Sequence, residues 1–235
     1  MPEIALPVSC LSVVIPCFNE VDRIEECVNR VFQQPVVREV IVVDDGSTDG
    51  TSDVIRELSC PRVVVRHHEQ NCGKGASVRT GFQLASAPFV VIQDSDLEQN
   101  PSDYERLIRP LVDGEADVVY GSRFPDRRRL EGQYRLHFLA NRLLTGLSNA
   151  MTGLRLTDME TGYKVFTKKV NDSLTFKCNR FGFEPEFTAK VAKNKFRVYE
   201  VPISYSGRDY SEGKKITWKD GFAAIWYIFK FRFSN

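Results

Sequence analysis

Three carboxylates follow a short apolar run near the middle of the chain. The segment VVIQDSDLEQNP (residues 90–101) places Asp94, Asp96 and Glu98 at every second position. Alternate residues of an extended chain point to the same side, so these acids repel one another unless a cation lies between them. Two aspartates spaced in this way can share one divalent cation, which keeps coordination positions for water and phosphate oxygens. The alternative is a solvated turn, because acids also favour the first turn of a helix.

The composition is that of an ordinary globular protein. The 235 residues are 42% apolar and 27% charged, and the formal net charge of +1 argues against a nucleic-acid partner. The six cysteines include no C-x-x-C pair, which argues against zinc and against a disulfide framework and favours a reducing compartment. Neither a signal-peptide pattern nor an apolar run of membrane-spanning length is present, so we expect a cytoplasmic protein.

Apolar runs alternate with segments of helical periodicity in the first half of the chain. The pattern predicts strands at residues 11–16, 39–45, 62–67, 89–94 and 117–122, and helices at 20–33, around 54–58, at 71–84 and at 101–112. Near-continuous apolar strands separated by helices predict an α/β fold with a mostly parallel central sheet and helices on both faces. Ligands of such sheets bind outside the carboxyl ends of the strands. We therefore expect a functional edge formed by residues 19–20, 44–45, 71–75, 94–98 and 122–123.

The second half of the chain has a different pattern. It predicts helices at residues 136–147 and 184–193, a strand at 196–204 and a polar loop at 206–215. The last segment repeats aromatic and apolar residues at helical spacing, namely Trp218, Phe222, Ile225, Trp226 and Phe229. This helix could lie at a membrane interface or pack on the sheet. The expected organisation is a catalytic domain at 1–215, with a nucleotide-sugar half at 1–124 and an acceptor half at 125–215, followed by an amphipathic helix at 216–235.

Several motifs together identify a family, whereas the standard phosphate loops do not fit. The first strand leads to PCFNE rather than G-x-G-x-x-G, and CGKGAS lacks the spacing G-x-x-x-x-G-K-[ST]. The segments VVIPCFNE, VVDDGSTDGT, NCGKGASVRTG, DSDLEQNP and GSRF resemble a family 2 glycosyltransferase of the GT-A fold. TDMETGYKVF, RFGFEPEF and VPISYSGRDYSEGKK are similar to the dolichyl-phosphate and polyprenyl-phosphate mannose and glucose synthases.

The resemblance implies a donor site for GDP-mannose or UDP-glucose. By this resemblance the nucleoside would be bound by Pro16, Phe18, Glu20 and Asp45, and Lys74 would lie near the nucleotide.

The same resemblance implies a metal site on the donor pyrophosphate. Asp94 and Asp96, with Ser95 between them, would bind Mg²⁺ or Mn²⁺, and Asp96 would be catalytic. Glu98 stands at the third ligand position, where the mannose enzymes often have Gln, so its role as a ligand is the open point.

A lipid phosphate acceptor would need cations. Its attacking oxygen is already anionic, so a general base is unnecessary, and arginine suits phosphate through its planar fork. The cationic candidates are Arg123, the run 127–129, Arg142, Arg208, Lys214 and Lys215. The resemblance matches Arg123 and Arg208 to positions that bind donor or acceptor phosphates. Arg142 interrupts an apolar helical pattern, which fits either a pocket-facing cation or a helix flank.

Asp158 and Glu160 are the strong candidates for a general base outside the metal site. Three interpretations stay open: contact with the sugar, which is our first; a base for a hydroxyl acceptor; and acids that cap a turn.

These features predict a metal-dependent inverting glycosyltransferase that moves mannose or glucose to a polyprenyl or dolichyl phosphate. It would be peripheral at the cytosolic face of a membrane, alone or with a separate membrane-anchoring protein. The alternatives are transfer to a small-molecule or glycan hydroxyl, nucleotidyl transfer, and non-catalytic binding of a nucleotide sugar.

Overall fold

The computed structural model describes residues 6–58, 60–124, 134–180, 182–207 and 218–234. Arg208, Lys214 and Lys215 and the run 127–129 lie outside these residues. The strands are Leu11–Cys17 (β1), Val37–Asp44 (β2), Val63–His67 (β3), Phe89–Ile92 (β4), Val118–Ser122 (β5), Lys164–Thr167 (β6) and Val198–Pro202 (β7). The helices are Ile24–Phe32 (α1), Thr51–Glu57 (α2), Lys74–Leu84 (α3), Tyr104–Val112 (α4), Tyr134–Thr152 (α5), Lys168–Ser173 (α6), Phe183–Lys193 (α7) and Trp218–Phe233 (α8), with a 3-10 turn at Pro101–Asp103.

The strands form one sheet in the order β3-β2-β1-β4-β6-β5-β7. Strands β1 to β4 pair in parallel, as do β5 and β7, whereas β6 is antiparallel to both of its neighbours. The predicted α/β class with a mostly parallel sheet is therefore confirmed. The five strands predicted in the first half begin and end within two residues of the observed bounds.

Two apolar cores cover the two faces of the sheet, as the sequence pattern predicts. Val13 and Ile15 of β1 enter one core and Val14 enters the other, because successive side chains of a strand point to opposite faces. Residues of α1, α2 and α4 fill the first core. Residues of α3, α5, α6, α7 and α8 fill the second.

Strand β6 is the element that periodicity does not predict. It has only four residues, Lys164–Thr167, and begins with a fully buried lysine. Its pairing with β4 on one side and β5 on the other supplies the hydrogen bonds that so short a segment cannot specify alone. Helix α5 is longer than predicted, and α1 starts at Ile24 because residues 21–23 form a turn.

Helix α8 packs on the rest of the domain, which is one of the two arrangements that the sequence allowed. It packs against α5 and α7 through a buried face that contains Ala224, Ile228 and Phe231. Large aromatic side chains on its opposite face are exposed, among them Phe222 and Trp226. The helix is thus part of the fold and also presents an apolar surface to the outside.

Two helical glycines provide a test of how closely α3 lies on the sheet. A Cβ at Gly81 of α3 would come within 2.3 Å of Val14 Cγ1, whereas a Cβ at Gly146 of α5 would meet nothing within 4 Å. We expect Gly81→Ala to lower the free energy of unfolding by about 1–3 kcal/mol through overpacking. Gly146→Ala should raise it by about 0.5–1 kcal/mol, because alanine loses less backbone entropy in a helix. Urea unfolding of both variants measures the difference, and equal effects would contradict the close approach of α3 to β1.

Candidate active site

The predicted functional edge is assembled by the strand directions. Strands β1, β2, β4 and β5 end at Cys17, Asp44, Ile92 and Ser122. Strand β6 runs the other way and begins at Lys164, so the segment before it reaches the same edge. The antiparallel strand therefore brings Asp158 and Glu160 to the edge that carries Asp94.

A lysine lies between two carboxylates at the centre of this edge. Lys74 Nζ is 2.9 Å from Asp94 Oδ1 and 3.1 Å from Glu184 Oε1. Burial opposes the charge of Lys74, but Asp94 and then Glu184 outweigh it and raise the pKa of the lysine above its usual value. This raised pKa keeps Lys74 a cation at neutral pH.

The main chain leaves room for Asp94. A Cβ at Gly162 would lie 2.3 Å from Asp94 Oδ2, so only glycine allows the segment before β6 to approach this carboxylate. Below it, Gln93 Oε1 accepts hydrogen bonds of 2.6 Å from the hydroxyls of Tyr104 and Tyr163, and Gln93 Nε2 donates to the Asp94 carbonyl. These buried contacts hold the end of β4 in place.

The other two acids of the loop have different surroundings. Asp96 Oδ1 accepts a hydrogen bond of 3.1 Å from the Glu98 amide. Glu98 Oε2 accepts one from the Tyr205 hydroxyl, and its carbonyl accepts one from the Ser206 amide. Among the described residues, Asp94, Asp96 and Glu98 do not form a group whose ligand atoms all lie within 4.8 Å of one another. Glu98 instead ties this loop to the segment after β7.

Arg123 and Asp158 form a two-point ion pair. Arg123 Nε is 2.7 Å from Asp158 Oδ2, and its Nη2 is 2.8 Å from Oδ1. Asp158 is fully buried and also accepts hydrogen bonds from the Arg123 amide and from Asn141 Nδ2. Burial opposes the charge of Arg123, but Asp158 raises the pKa of the guanidinium above its usual value. With both oxygens engaged, Asp158 holds the arginine and is poorly placed to take a proton from a substrate.

Glu160 has a different environment from Asp158. Its Oε1 is buried and has no hydrogen-bond partner among the described residues. Burial, with the nearby charge of Glu184, raises its pKa from 4.5 to about 8. Burial also lowers the pKa of Lys164 to about 8, although Glu184 acts in the opposite direction. A carboxyl group of this kind is protonated at neutral pH and can donate a hydrogen bond.

The residues predicted to hold the nucleoside lie in the loops after β1 and β2. Asn19 Oδ1 accepts a hydrogen bond of 2.8 Å from the Thr48 amide, and the Glu20 amide donates to Thr51 Oγ1 at 2.9 Å, so the two loops are tied together. Glu20 and Asp45 are buried. Asp45 accepts hydrogen bonds from two main-chain amides of the loop after β3.

The remaining candidates divide between the edge and the outside. Pro16, at the end of β1, and Phe18, just after it, are half-buried, and Ser95 Oγ donates a hydrogen bond of 3.3 Å to the Pro16 carbonyl. Arg142 is exposed on α5, where its guanidinium lies 5.9 Å from the centre of the Phe138 ring. The structure therefore favours the helix-flank interpretation of Arg142.

Sequence reasoning missed several residues that the fold places at this edge. Lys164, Glu184, Tyr205 and Asn141 each contact or face a predicted site residue. Lys164 and Glu184 both lie in motifs that resemble the family, TDMETGYKVF and RFGFEPEF. Each is a charged residue flanked by apolar residues, and this pattern could have indicated a role at the site.

A comparison with known families gives the observation that decides the class. Residues 12–175 match the profile of glycosyl transferase family 2, which includes the loops after β1, β2, β4 and β5 and the segment before β6. The chain belongs to glycosyltransferase family 2. The resemblance inferred from the motifs is thereby confirmed.

This glycosyltransferase is similar over most of its length to two proteins named for polyprenol or dolichol compounds. It is 26% identical to the UDP-N-acetylglucosamine–dolichyl-phosphate N-acetylglucosaminyltransferase of Methanococcus voltae over 234 residues, covering 92% of this chain and 93% of the relative. It is 28% identical to the polyprenol monophosphomannose synthase of Mycolicibacterium smegmatis over 222 residues, covering 91% and 83%.

The fold also matches a solved glycosyltransferase structure. Glucosyl-3-phosphoglycerate synthase from Mycobacterium tuberculosis, solved with Mn²⁺, uridine diphosphate and phosphoglyceric acid, superposes with a TM-score of 0.72. The two chains are 21% identical, and the match covers 96% of this chain and 79% of that one. The GT-A fold expected from the motifs is confirmed.

The raised pKa of Glu160 predicts a pH dependence of stability. Between pH 4.5 and about 8 the folded chain holds a proton that the unfolded chain has lost, so the free energy of unfolding falls as pH rises. We expect Glu160→Gln to reduce the fall between pH 5 and pH 7 by on the order of 1–2 kcal/mol, since one pKa unit is worth about 1.4 kcal/mol.

Urea unfolding at the two pH values measures this effect. The exposed Glu57→Gln is the control and should keep the slope of the wild type. An unchanged slope in Glu160→Gln would mean that Glu160 is ionised in the folded chain.

Proposed function

We propose that this glycosyltransferase moves a sugar from a nucleoside diphosphate sugar to a polyprenyl phosphate, with Mg²⁺ or Mn²⁺ bound by Asp94 and Asp96. The Arg123–Asp158 ion pair is the observation that carries the proposal. It supplies a fixed cation at this edge of the sheet, and it engages both carboxylate oxygens of Asp158, one of the two candidate bases. A phosphate acceptor needs the cation and does not need the base.

The end of β4 fits a hard divalent cation. Asp94 and Asp96 supply carboxylate oxygens, and the missing Cβ of Gly162 leaves space at Asp94 Oδ2. Two carboxylates suit Mg²⁺ or Mn²⁺, which take their other ligands from water and substrate phosphates. When bound, the cation supplies a Lewis acid at the pyrophosphate oxygen on which charge develops. Glu98 is better suited to holding Tyr205 than to completing this ligand set.

Lys74 adds a second positive charge on the donor side. Its ammonium group is held by Glu184 as well as by Asp94, so it keeps one partner when Asp94 oxygens bind another cation. A cation fixed before the reaction stabilises the negative charge of the leaving diphosphate without reorganisation.

Arg123 performs the matching task for the acceptor. Its Nε and Nη2 donors are fixed by Asp158, which keeps the guanidinium in one orientation. Tyr205 also interacts with this guanidinium, so a phosphate bound at Arg123 would share it with the tyrosine hydroxyl. An acceptor phosphate held there could attack the sugar carbon directly, from the side opposite the leaving diphosphate, so the anomeric configuration would invert. Arg208 and Lys214, which lie outside the described residues, are proposed as further phosphate contacts.

Glu160 is proposed to contact the sugar. A neutral carboxyl group with a buried, unpartnered oxygen can donate to one sugar hydroxyl and accept from another. Lys164, which lies fully buried among these acids, keeps the negative charge of the region low.

The class of sugar includes amino sugars. The motifs predict mannose or glucose, and the relatives' names include both a monophosphomannose synthase and an N-acetylglucosaminyltransferase. We therefore propose a hexose or an N-acetylhexosamine carried on UDP or GDP.

Transfer of label from a nucleotide sugar to a lipid tests the proposal. Radiolabelled GDP-mannose, UDP-glucose and UDP-N-acetylglucosamine are incubated with polyprenyl phosphate or with polyprenol, and the lipid-extractable label is counted. We expect label only with polyprenyl phosphate, and only in the presence of Mg²⁺ or Mn²⁺.

Asp96→Asn should lose activity by at least about a hundredfold, whereas Asp113→Asn, an exposed acid at the end of α4, should not. Transfer of label to polyprenol instead would contradict the proposed acceptor.

Helix α8 is proposed to lie on the membrane that carries the lipid acceptor. Its exposed stripe consists of Phe222, Trp226, Phe229 and Phe233, which are 68%, 65%, 39% and 80% exposed. Their spacing of four, three and four residues places them on one face, and Lys230 and Arg232 follow in the last turn. Exposed aromatics with flanking cations favour an interface with anionic lipid. No helix among the described residues has the length and hydropathy needed to cross a bilayer.

Removal of one exposed aromatic tests this contact. We expect Trp226→Ser to reduce sedimentation with phosphatidylglycerol-containing liposomes several-fold, because apolar area is lost from the interface. Its melting temperature should change little, since the side chain is mostly exposed. Tyr199→Ser, an exposed aromatic on β7, is the matched control and should bind like the wild type. Equal binding by both variants would contradict the role of the α8 stripe.

A further inference from the structure

A second group of possible metal ligands lies at the loops after β2 and β3. The Asp45 carboxylate, a ring nitrogen of His68 and the sulfur of Cys72 supply ligand atoms that all lie within 4.8 Å of one another. The loops themselves are in close contact, since a Cβ at Gly46 would come within 2.7 Å of the Gln70 carbonyl carbon. The three residues come from separate positions of the chain and are brought together only by the fold.

Hydrogen bonds hold this group in place. Asp45 Oδ1 accepts from the Cys72 amide at 3.1 Å, and Oδ2 accepts from the Gly73 amide at 2.7 Å. His68 Nδ1 lies 2.7 Å from Asp45 Oδ1, and its Nε2 lies 3.0 Å from Thr80 Oγ1. In the metal-free arrangement Nδ1–H donates to Asp45 and Nε2 accepts from the Thr80 hydroxyl. Zinc binding at Nδ1 would need the other neutral tautomer, in which Nε2–H donates a hydrogen bond to Thr80 Oγ1 and the Nδ1 lone pair faces the group. Such a partner on the far nitrogen is usual for histidines that bind metal.

The chemistry of the three ligands favours a soft cation. Thiolate and imidazole select zinc over magnesium or manganese, which prefer oxygen ligands. Zinc ligands at their usual bond lengths lie about 3.3–3.6 Å apart in a tetrahedral site. Asp45 and His68 would therefore separate slightly, and Cys72 would approach by a side-chain rotation. His68 and Cys72 are partly exposed, so a cation can reach them from outside.

We propose that Asp45, His68 and Cys72 bind one Zn²⁺ ion, separately from the Mg²⁺ or Mn²⁺ site at the end of β4. Binding transfers the Cys72 thiol proton to solvent and forms the sulfur–zinc bond, so affinity rises with pH. The fourth position of the tetrahedron stays open to water.

Zinc at this position would also control the donor site. This step rests on the proposed function, together with the family resemblance that places Asp45 at the nucleoside of the donor. A carboxylate that coordinates zinc cannot accept a hydrogen bond from a nucleoside in the same way, so zinc should inhibit sugar transfer at saturating Mg²⁺.

Zinc binding to the metal-stripped full chain tests the site itself. Titration of Zn²⁺ against a chromogenic chelator should give one tightly bound ion per chain, and Co²⁺ should give a thiolate-to-cobalt charge-transfer band. Cys72→Ser should lose the band and bind zinc at least tenfold more weakly, and His68→Gln should weaken zinc similarly. Cys60→Ser, a partly exposed cysteine outside the group, should behave like the wild type. Melting temperatures establish that each variant is folded.

The outcomes separate this inference from the proposed function. Zinc uptake that is equal in wild type and Cys72→Ser would overturn the zinc site and leave the sugar-transfer assay unaffected. In the transfer assay, the zinc concentration that halves activity should rise at least tenfold in Cys72→Ser and stay unchanged in Cys60→Ser. Donor nucleotides also chelate zinc, but they do so equally for each variant. Site-specific zinc binding without inhibition would uphold the site and overturn its control of the donor.

Discussion

Repulsion between carboxylates at one edge of the sheet is the constraint on which the rest of the structure depends. Asp94, Asp96, Asp158, Glu160 and Glu184 all belong to this region, and like charges in a partly desolvated place cannot all ionise without cations. The fold answers with cations from three different elements: Lys74 at the start of α3, Arg123 after β5 and Lys164 at the start of β6. Among the described residues, the buried Glu160 Oε1 has no hydrogen-bond partner, and burial raises the pKa of this carboxyl group to about 8, which favours its protonated form at neutral pH. Buried ionic networks contribute little net stability, so this arrangement is better explained by the binding of a charged substrate.

The antiparallel strand connects this constraint to the chemistry of the family. A fifth parallel strand between β4 and β5 would have carried the segment 157–163 to the far edge of the sheet. Because β6 runs in the opposite direction, its first residues meet the ends of its neighbours, and Gly162 lets the two segments touch at Asp94. The residues proposed for the donor metal, the sugar and the acceptor thus adjoin neighbouring strands in the order β4, β6 and β5. The backbone hydrogen bonds between these strands fix the points from which their segments start.

Helix α8 and the loops after β1 and β2 are, like the strand ends, held in place by buried contacts with the rest of the domain. The helix is fixed by its buried face on α5 and α7, so its aromatic stripe has a defined position relative to Arg123 and its partner Asp158. If the acceptor is a lipid phosphate, as proposed, a rigid apolar face on the same domain would hold the enzyme at the surface from which that acceptor comes. Asp45, which is predicted to contact the nucleoside, is held by amides of the loop after β3 and contacts His68, so its position is coupled to that loop.

The sequence by itself determined the α/β class, the first five strands, the family and the residues at the strand ends, because apolar periodicity and motif spacing are local properties of the chain. It also identified Asp94, Asp96, Arg123 and Lys74 as site candidates. The tertiary structure decided what local patterns do not contain: the direction of β6, the engagement of Asp158 by Arg123, the contact of Glu98 with Tyr205 and the two-sided character of α8. Cysteine spacing did not predict the group of Asp45, His68 and Cys72, because His68 and Cys72 lie 23 and 27 residues after Asp45 in the sequence. Contacts between residues so far apart depend on the order of the strands in the sheet and on how the side chains pack. Both are properties of the folded chain and are absent from local sequence patterns.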